Sequence, residues 1–352
     1  MKFLRLAFYV LIAQLVLSGC AGEGVEETSS SSSSEINFDA YLGRNASTRA
    51  GVTNIASLKD SGFGVFARYK HTDGATSPLM DNEHVTWNGN HWGYTNTRYW
   101  PNEGSVDFYA FAPYLENVEL VNAPDSIKDN PTCIEFTSST SPVDLVWDVQ
   151  KNKTVPTSPT DGKVKFQFKH ALARLGFDIT ANQELEENGA VIQVEEVKLY
   201  GDTIVNGAFD IKGYLNLENG GWSRPKENTR VVYTWTPTGA EDGTNFKLSA
   251  SQLDHTCSKI ENAPNSYLCI IPQEKWQKFY LQITYTVQQG TFKEEVKVRK
   301  NLLDVRKQPG VSNPSFPFEM GKAYVFHLKL SLDPINFYVT TTVVDWKEGK
   351  NE

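Results

Sequence analysis

The chain has 352 residues, with 34 lysines and arginines against 42 aspartates and glutamates and a formal net charge of -8. That balance argues against nucleic acid as a partner and against a basic membrane-binding surface. Hydrophobic residues make up only 39%, yet 19 Phe, 15 Tyr and 8 Trp carry enough apolar volume for a real core.

The first element is residues 1–19. Lys2 and Arg5 lead into an apolar run from Leu6 to Leu17, and small residues stand directly before Cys20. This has the shape of a secretory signal and is too short to cross a bilayer as a mature helix. Cys20 sits where a lipoprotein signal peptidase would cut, leaving its thiol to carry lipid as a thioether. Acyl carbons at about 0.8 kcal/mol per buried CH₂ would then hold the protein on a membrane. The alternative is an ordinary signal peptide that ends near a cysteine. Residues 20–34 are polar, carry Glu23, Glu26 and Glu27, and end in a serine run, so they read as a flexible tether.

Glu35 to Leu42 alternates, placing Ile36, Phe38, Ala40 and Leu42 on one face of a strand. A polar, basic loop from Gly43 to Arg49 follows. The order of lipid, tether, lone strand and arginine-bearing loop suggests a strand that can be detached from the body behind it. About 330 residues follow the signal, which favours two domains over one at roughly 100–200 residues each. Strands are predicted at Phe63–Tyr69, Val106–Tyr114, Cys133–Phe136 and Val143–Trp147, with a turn-rich stretch at His71–Ser77. Val164, Phe166 and Phe168 share one face, but from Ala171 the apolar set becomes Ala171, Ala173, Leu175, Phe177 and Ile179. Strand periodicity is two, so this flip of parity across Lys169-His170 requires a bulge, a turn or a change of sheet. The domain boundary is placed there, giving an N-terminal domain at 35–168 and a C-terminal domain at 169–352.

The second half repeats the pattern: Val191–Leu199, Asn206–Ile211, Val231–Trp235, Tyr267–Gln273, a hairpin of Phe279–Val287 and Phe292–Val298 around Gln288-Gln289-Gly290, then Ala323–Leu332 and Ile335–Trp346. Helix-period patterns are scarce, and the whole reads as all-β sandwich architecture.

Chemistry-bearing patterns are absent. The six histidines are scattered without ligand spacing, and there is no nucleophile elbow, phosphate-binding glycine loop or dinucleotide fingerprint. No carboxylate pair is singled out as a glycosidase would need, about 5 to 9 Å apart. No cofactor or metal is expected. His170 reads as a boundary histidine bonded to backbone rather than a catalytic base. Cys257 and Cys269 either close a short disulfide loop or stay as buried thiols, with Cys133 left over. The cluster from Trp87 to Trp100 reads first as core packing. Its alternative is a sugar-stacking platform using Trp87, Trp92 and Tyr94.

Several segments together resemble the fimbrillin family, the lipoprotein pilins of type V fimbriae. They are Thr48-Arg49-Ala50, Phe63–Phe66, Tyr99-Trp100-Pro101 with Val106–Pro113, Phe168–Leu175, Leu268–Gln273, Gly321–Tyr324 and Val344-Asp345-Trp346. The resemblance implies two tandem transthyretin-like β-sandwich domains and a subunit of a surface filament at the outer membrane. It implies a lipidated precursor cut by an arginine-specific protease behind the first strand, after Arg49 or, as second choice, Arg44. Loss of residues 35–49 would open a groove that a neighbouring fimbrial subunit fills by strand addition, in which backbone bonds complete the ladder and alternate side chains fill pockets. The donor would come from Ile335, Phe337, Val339, Val344 and Trp346. Family stalk subunits carry further apolar residues past this tryptophan, whereas here only Lys347–Glu352 follow, which suggests a tip, accessory or anchor subunit, or a stalk subunit whose donor uses Ile335 to Trp346 alone. Its partner would be a host or bacterial surface receptor. The alternative reading is a non-polymerising surface lipoprotein that binds glycans through the aromatic patch; an exported enzyme is weaker still.

Overall fold

A computed structural model describes residues 34–42, 55–124, 126, 130–138, 143–157, 162–181, 191–201, 209–225, 230–235, 247–248, 268–272, 279–302, 317–330 and 338–346. In the first half the elements are β1 (Asn37–Tyr41), α1 (Ile55–Ser61), β2 (Phe63–Lys70), β3 (Thr76–Trp87), β4 (Trp92–Gly93), β5 (Ser105–Ala112), β6 (Cys133–Thr137), β7 (Val146–Lys153), β8 (Lys163–Gln167) and β9 (Lys169–His170). The second half begins with β10 (Ala173–Ala181), β11 (Val191–Tyr200), β12 (Phe209–Asp210), β13 (Lys212–Asn216), β14 (Trp222–Ser223), β15 (Arg230–Val231) and β16 (Tyr233–Trp235). It ends with β17 (Lys247–Leu248), β18 (Leu268–Ile270), β19 (Tyr280–Gln289), β20 (Phe292–Asn301), β21 (Lys322–Leu330) and β22 (Tyr338–Asp345). The protein is all-β apart from one short helix among the described residues.

In the first half a six-stranded sheet runs β4-β3-β2-β5-β7-β9, and β1 pairs with β8 in a separate two-stranded sheet. Together they enclose a core of Ile36, Phe38, Phe63, Val65, Phe108, Phe166 and their neighbours. The opposite face of the six-stranded sheet is buried too, through Phe66, Tyr109, Phe111 and Trp147. Burial on both faces explains why β2 and β5 read as near-continuous apolar runs rather than alternating ones.

In the second half β18-β10-β21-β22 and β16-β11-β19-β20 enclose a third core, with β17 also on β11. The β19–β20 hairpin turns at Gly290, whose φ of 60° lies in the left-handed region that glycine enters without steric penalty. At Lys169-His170 the chain changes sheet: β9 closes the six-stranded sheet, and β10 opens the four-stranded one. That crossing is the physical origin of the parity flip.

Two elements depart from the sequence reading. The stretch predicted as turn-rich ends in β3, a strand carrying Pro78, Asp81 and Glu83. Over Thr76–Glu83 it borders the sheet on one side only, where solvent satisfies the free backbone groups and polar side chains are favoured. The second is β13, which lies beyond the boundary in sequence but pairs with β6 before it, Gly213 opposite Phe136 and Leu215 opposite Ile134. The two halves therefore interlock through residues 212–223, and the core between them gathers Ile134, Leu215, Ile271, Ala323 and Trp346.

Candidate functional site

The first strand is seated in a groove. Ile36, Phe38, Ala40 and Leu42 are each no more than 3% exposed, while Asn37 and Tyr41 face solvent. β1 runs parallel to β8, Asn37 opposite Lys163 and Tyr41 opposite Gln167. Phe38 meets four rings at centroid distances of 6.3 Å for Phe63, 5.5 Å for Tyr94, 6.0 Å for Phe108 and 5.8 Å for Phe166. Edge-to-face and stacked aromatic pairs at such spacing add to the burial energy.

The ends of the strand are tied by single backbone bonds. Ile36 N–H donates to the Arg98 carbonyl at 2.9 Å, Trp100 N–H to the Ser34 carbonyl at 3.0 Å, and Phe168 N–H to the Tyr41 carbonyl at 2.9 Å. The Tyr94 hydroxyl donates to the Ile36 carbonyl at 2.7 Å, and burial lifts its phenol above the ordinary range. On the outer face Tyr41 donates to the Asp39 carboxylate at 2.7 Å, and this bond raises the Tyr41 phenol as well. Among the described residues β1 thus has a full ladder on one side only. On the other side it meets the 98–100 loop near its start.

Sequence reasoning found the inward face of β1 but neither its partner strand nor its clamp. Tyr94, which the sequence left between core packing and a glycan contact, holds β1. Trp92 is 3% exposed, with Phe63 at 5.0 Å and Trp87 at 5.4 Å between centroids, and the Lys59 ammonium lies 3.9 Å from the Trp87 ring. Trp92 has no free face for a sugar; these rings line a core. Cys20, Arg44, Arg49, Ile335 and Phe337 lie outside the described residues.

Of the residues expected to form a donor strand, Val339 is partly buried against the C-terminal core, and Val344 pairs with Ala323 of β21. Trp346 is buried between the halves, stacked on His170 at 3.9 Å with an interplanar angle of 5°, and the Arg174 guanidinium lies 5.6 Å from its ring. The backbone N–H of Trp346 donates to the Gly321 carbonyl at 2.7 Å. His170 bonds a carboxylate rather than backbone: Nδ1 stands 2.9 Å from Asp144 Oδ2, both side chains being buried. A His–Asp pair covered by Trp346 has no open approach for a substrate. Cys269 is a free, buried thiol, and Cys257 lies outside the described residues. Burial pushes the Cys269 thiol well above the usual range, the reverse of an activated nucleophile. Among the described residues no three His, Cys, Asp or Glu side chains are grouped to hold a metal.

Known proteins share this all-β fold. Fimbrium subunit Fim1C from Phocaeicola vulgatus is 24% identical over an alignment of 376 residues, covering 97% of this chain and 96% of the relative. The crystal structure of a fimbrial protein from Bacteroides vulgatus superposes with a TM-score of 0.63 at 22% identity, covering 89% of this chain and 99% of that one, and so shares the fold. The fimbrillin-like profile matches residues 48–346, most of the chain. The chain belongs to the fimbrillin-like family, whose members are fimbrial proteins of the cell surface.

Proposed function

We propose that this protein is a structural or adhesive subunit of a cell-surface fimbria that is made as a precursor and assembles by strand exchange. The observation that carries the reading is β1: a strand with four inward side chains buried to 1–3% exposure and, among the described residues, a single flanking partner strand. Withdrawing it would expose the aromatic floor of Phe63, Phe108 and Phe166 together with the edge of β8. An open edge over such a floor is an aggregation hazard, so a precursor gains from covering it until export. A strand from another subunit can restore both ladder and packing. In the precursor, Cys20 carries the lipid, and the cut falls after Arg49 or Arg44 in the loop behind β1.

Treating the purified precursor with an arginine-specific protease tests the reading. Loss of the segment before Ala50 followed by oligomers is the expected result, blocked by Arg49→Ala or by the Arg44→Ala, Arg49→Ala double variant. A cut chain that stays monomeric and takes up no donor strand would overturn it.

A further inference from the structure

β20 ends its sheet and, among the described residues, is paired on one side only, by β19. It is 10 residues long and carries no proline, and its register with β19 runs unbroken from Phe292 opposite Gln289 to Asn301 opposite Tyr280. Neither shortness, proline nor a bulge blunts this edge; the remaining protective device is charge. The charges are sorted along the strand. Glu294 and Glu295 stand toward its start and Lys297, Arg299 and Lys300 toward its end, with Lys293 the one exception. Val296 and Val298 pack on the C-terminal core, so even-numbered residues share the core-side face and odd-numbered ones the outer face. Lys293, Glu294, Glu295, Lys297 and Arg299 are all exposed. Arg299 is held on the outer face by the Tyr280 ring, 5.0 Å away, and its planar fork still has donors for a carboxylate.

We propose that β20 is a lateral contact between two copies of this chain, joined edge to edge and antiparallel about a two-fold axis at Lys297. A strand that is acidic at its start and basic at its end complements itself when the second copy runs the other way. Opposed residues of an antiparallel pair point to one face and share a hydrogen-bonding direction, so the axis must pass through a residue rather than between two. An axis at Glu295 sets Glu295 against itself and Lys293 against Lys297. One at Val296 gains Glu295 with Lys297 but sets Lys293 against Arg299 and leaves Glu294 on Val298. One at Val298 sets Lys297 against Arg299. Only the axis at Lys297 places Glu294 opposite Lys300, Glu295 opposite Arg299 and Val296 opposite Val298, each twice, with Lys293 on Asn301. Lys297 alone then meets its like, at a position open to solvent. The same charges that repel other strands thus select this one partner and register. The contact lies in the second half, whereas the groove of β1 lies in the first, and it needs no cut.

Sedimentation of the uncut full chain, with β1 still in its groove, tests the contact apart from strand exchange. A dimer that weakens as salt rises is expected, because exposed pairs are screened. The Glu294→Lys, Glu295→Lys variant and the Arg299→Glu, Lys300→Glu variant should each dimerise at least about tenfold more weakly. Mixed together they should pair again, since every facing charge is then opposite; this recovery rules out misfolding as the cause of the loss. Register is read by mild oxidation, with the parent chain as control for its own thiols. Glu295→Cys mixed with Arg299→Cys should crosslink, and Glu295→Cys mixed with Lys297→Cys should give little. A parent chain that stays monomeric at low salt, or a dimer indifferent to both charge reversals, would overturn the contact. Crosslinking of 295 to 297 in place of 299 would overturn the register. Either result leaves the strand-exchange reading standing, because that reading concerns the groove of β1.

Discussion

Phe38→Ala is the sharpest probe of the groove. The ring is 1% exposed and touches four other aromatic rings, so its loss removes both transfer energy and packing partners. Phe→Ala at such a site costs about 3–5 kcal/mol, because the surrounding rings can close the void only in part. That is a large share of the roughly 5–15 kcal/mol that stabilises a typical domain. Urea denaturation of the full chain, followed by tryptophan fluorescence, should show the first half unfolding earlier by that amount. Asn37→Ala, on the outer face of the same strand, should change stability by less than about 0.5 kcal/mol. After protease removal of the strand, parent and Phe38→Ala must become indistinguishable, since the altered residue is gone. A loss below about 1 kcal/mol in the intact chain, or a difference that survives removal, would refute a groove in which Phe38 is the principal plug.

Three further outcomes follow from the packing. Trp346→Ala should cost roughly 3–5 kcal/mol and make β22 the first segment cut in limited proteolysis, because the stacked ring over His170 pins the end of that strand. Gly220→Ala should lower the melting temperature by several degrees: φ is +78°, and an added Cβ would meet the Trp147 ring at 2.2 Å, so backbone and neighbour both oppose it. Tyr233 is buried and its phenol is pushed up to about 12, chiefly by burial. The folded state therefore holds its proton where the unfolded chain releases it near pH 10. Stability should be level below pH 10 and fall between pH 10 and 12 by roughly 2–3 kcal/mol from this group. Tyr233→Phe should flatten that part of the pH–stability curve, which denaturant titration at several pH values would show.

What the amino-acid order determined by itself is local. Alternation with a period of two assigned Ile36, Phe38, Ala40 and Leu42 to one face, because side chains of a strand point to opposite sides whatever lies beyond. The same rule located a break in parity at Lys169-His170, which the fold resolves as a change of sheet, and Gln288-Gln289-Gly290 marked the β19–β20 turn. Tertiary structure decided everything that depends on residues far apart in the chain. The parallel pairing of β1 with β8 and the antiparallel pairing of β6 with β13 leave no trace in local period, since any strand offers the same backbone groups. Whether Trp92 and Tyr94 face sugar or core is invisible to composition, because an aromatic beside asparagine and glycine suits either surroundings until a sheet is laid over it. His170 finds Asp144 and Trp346 only after three distant segments meet between the halves. Periodicity is written along the chain; the partner that buries it is supplied by the fold.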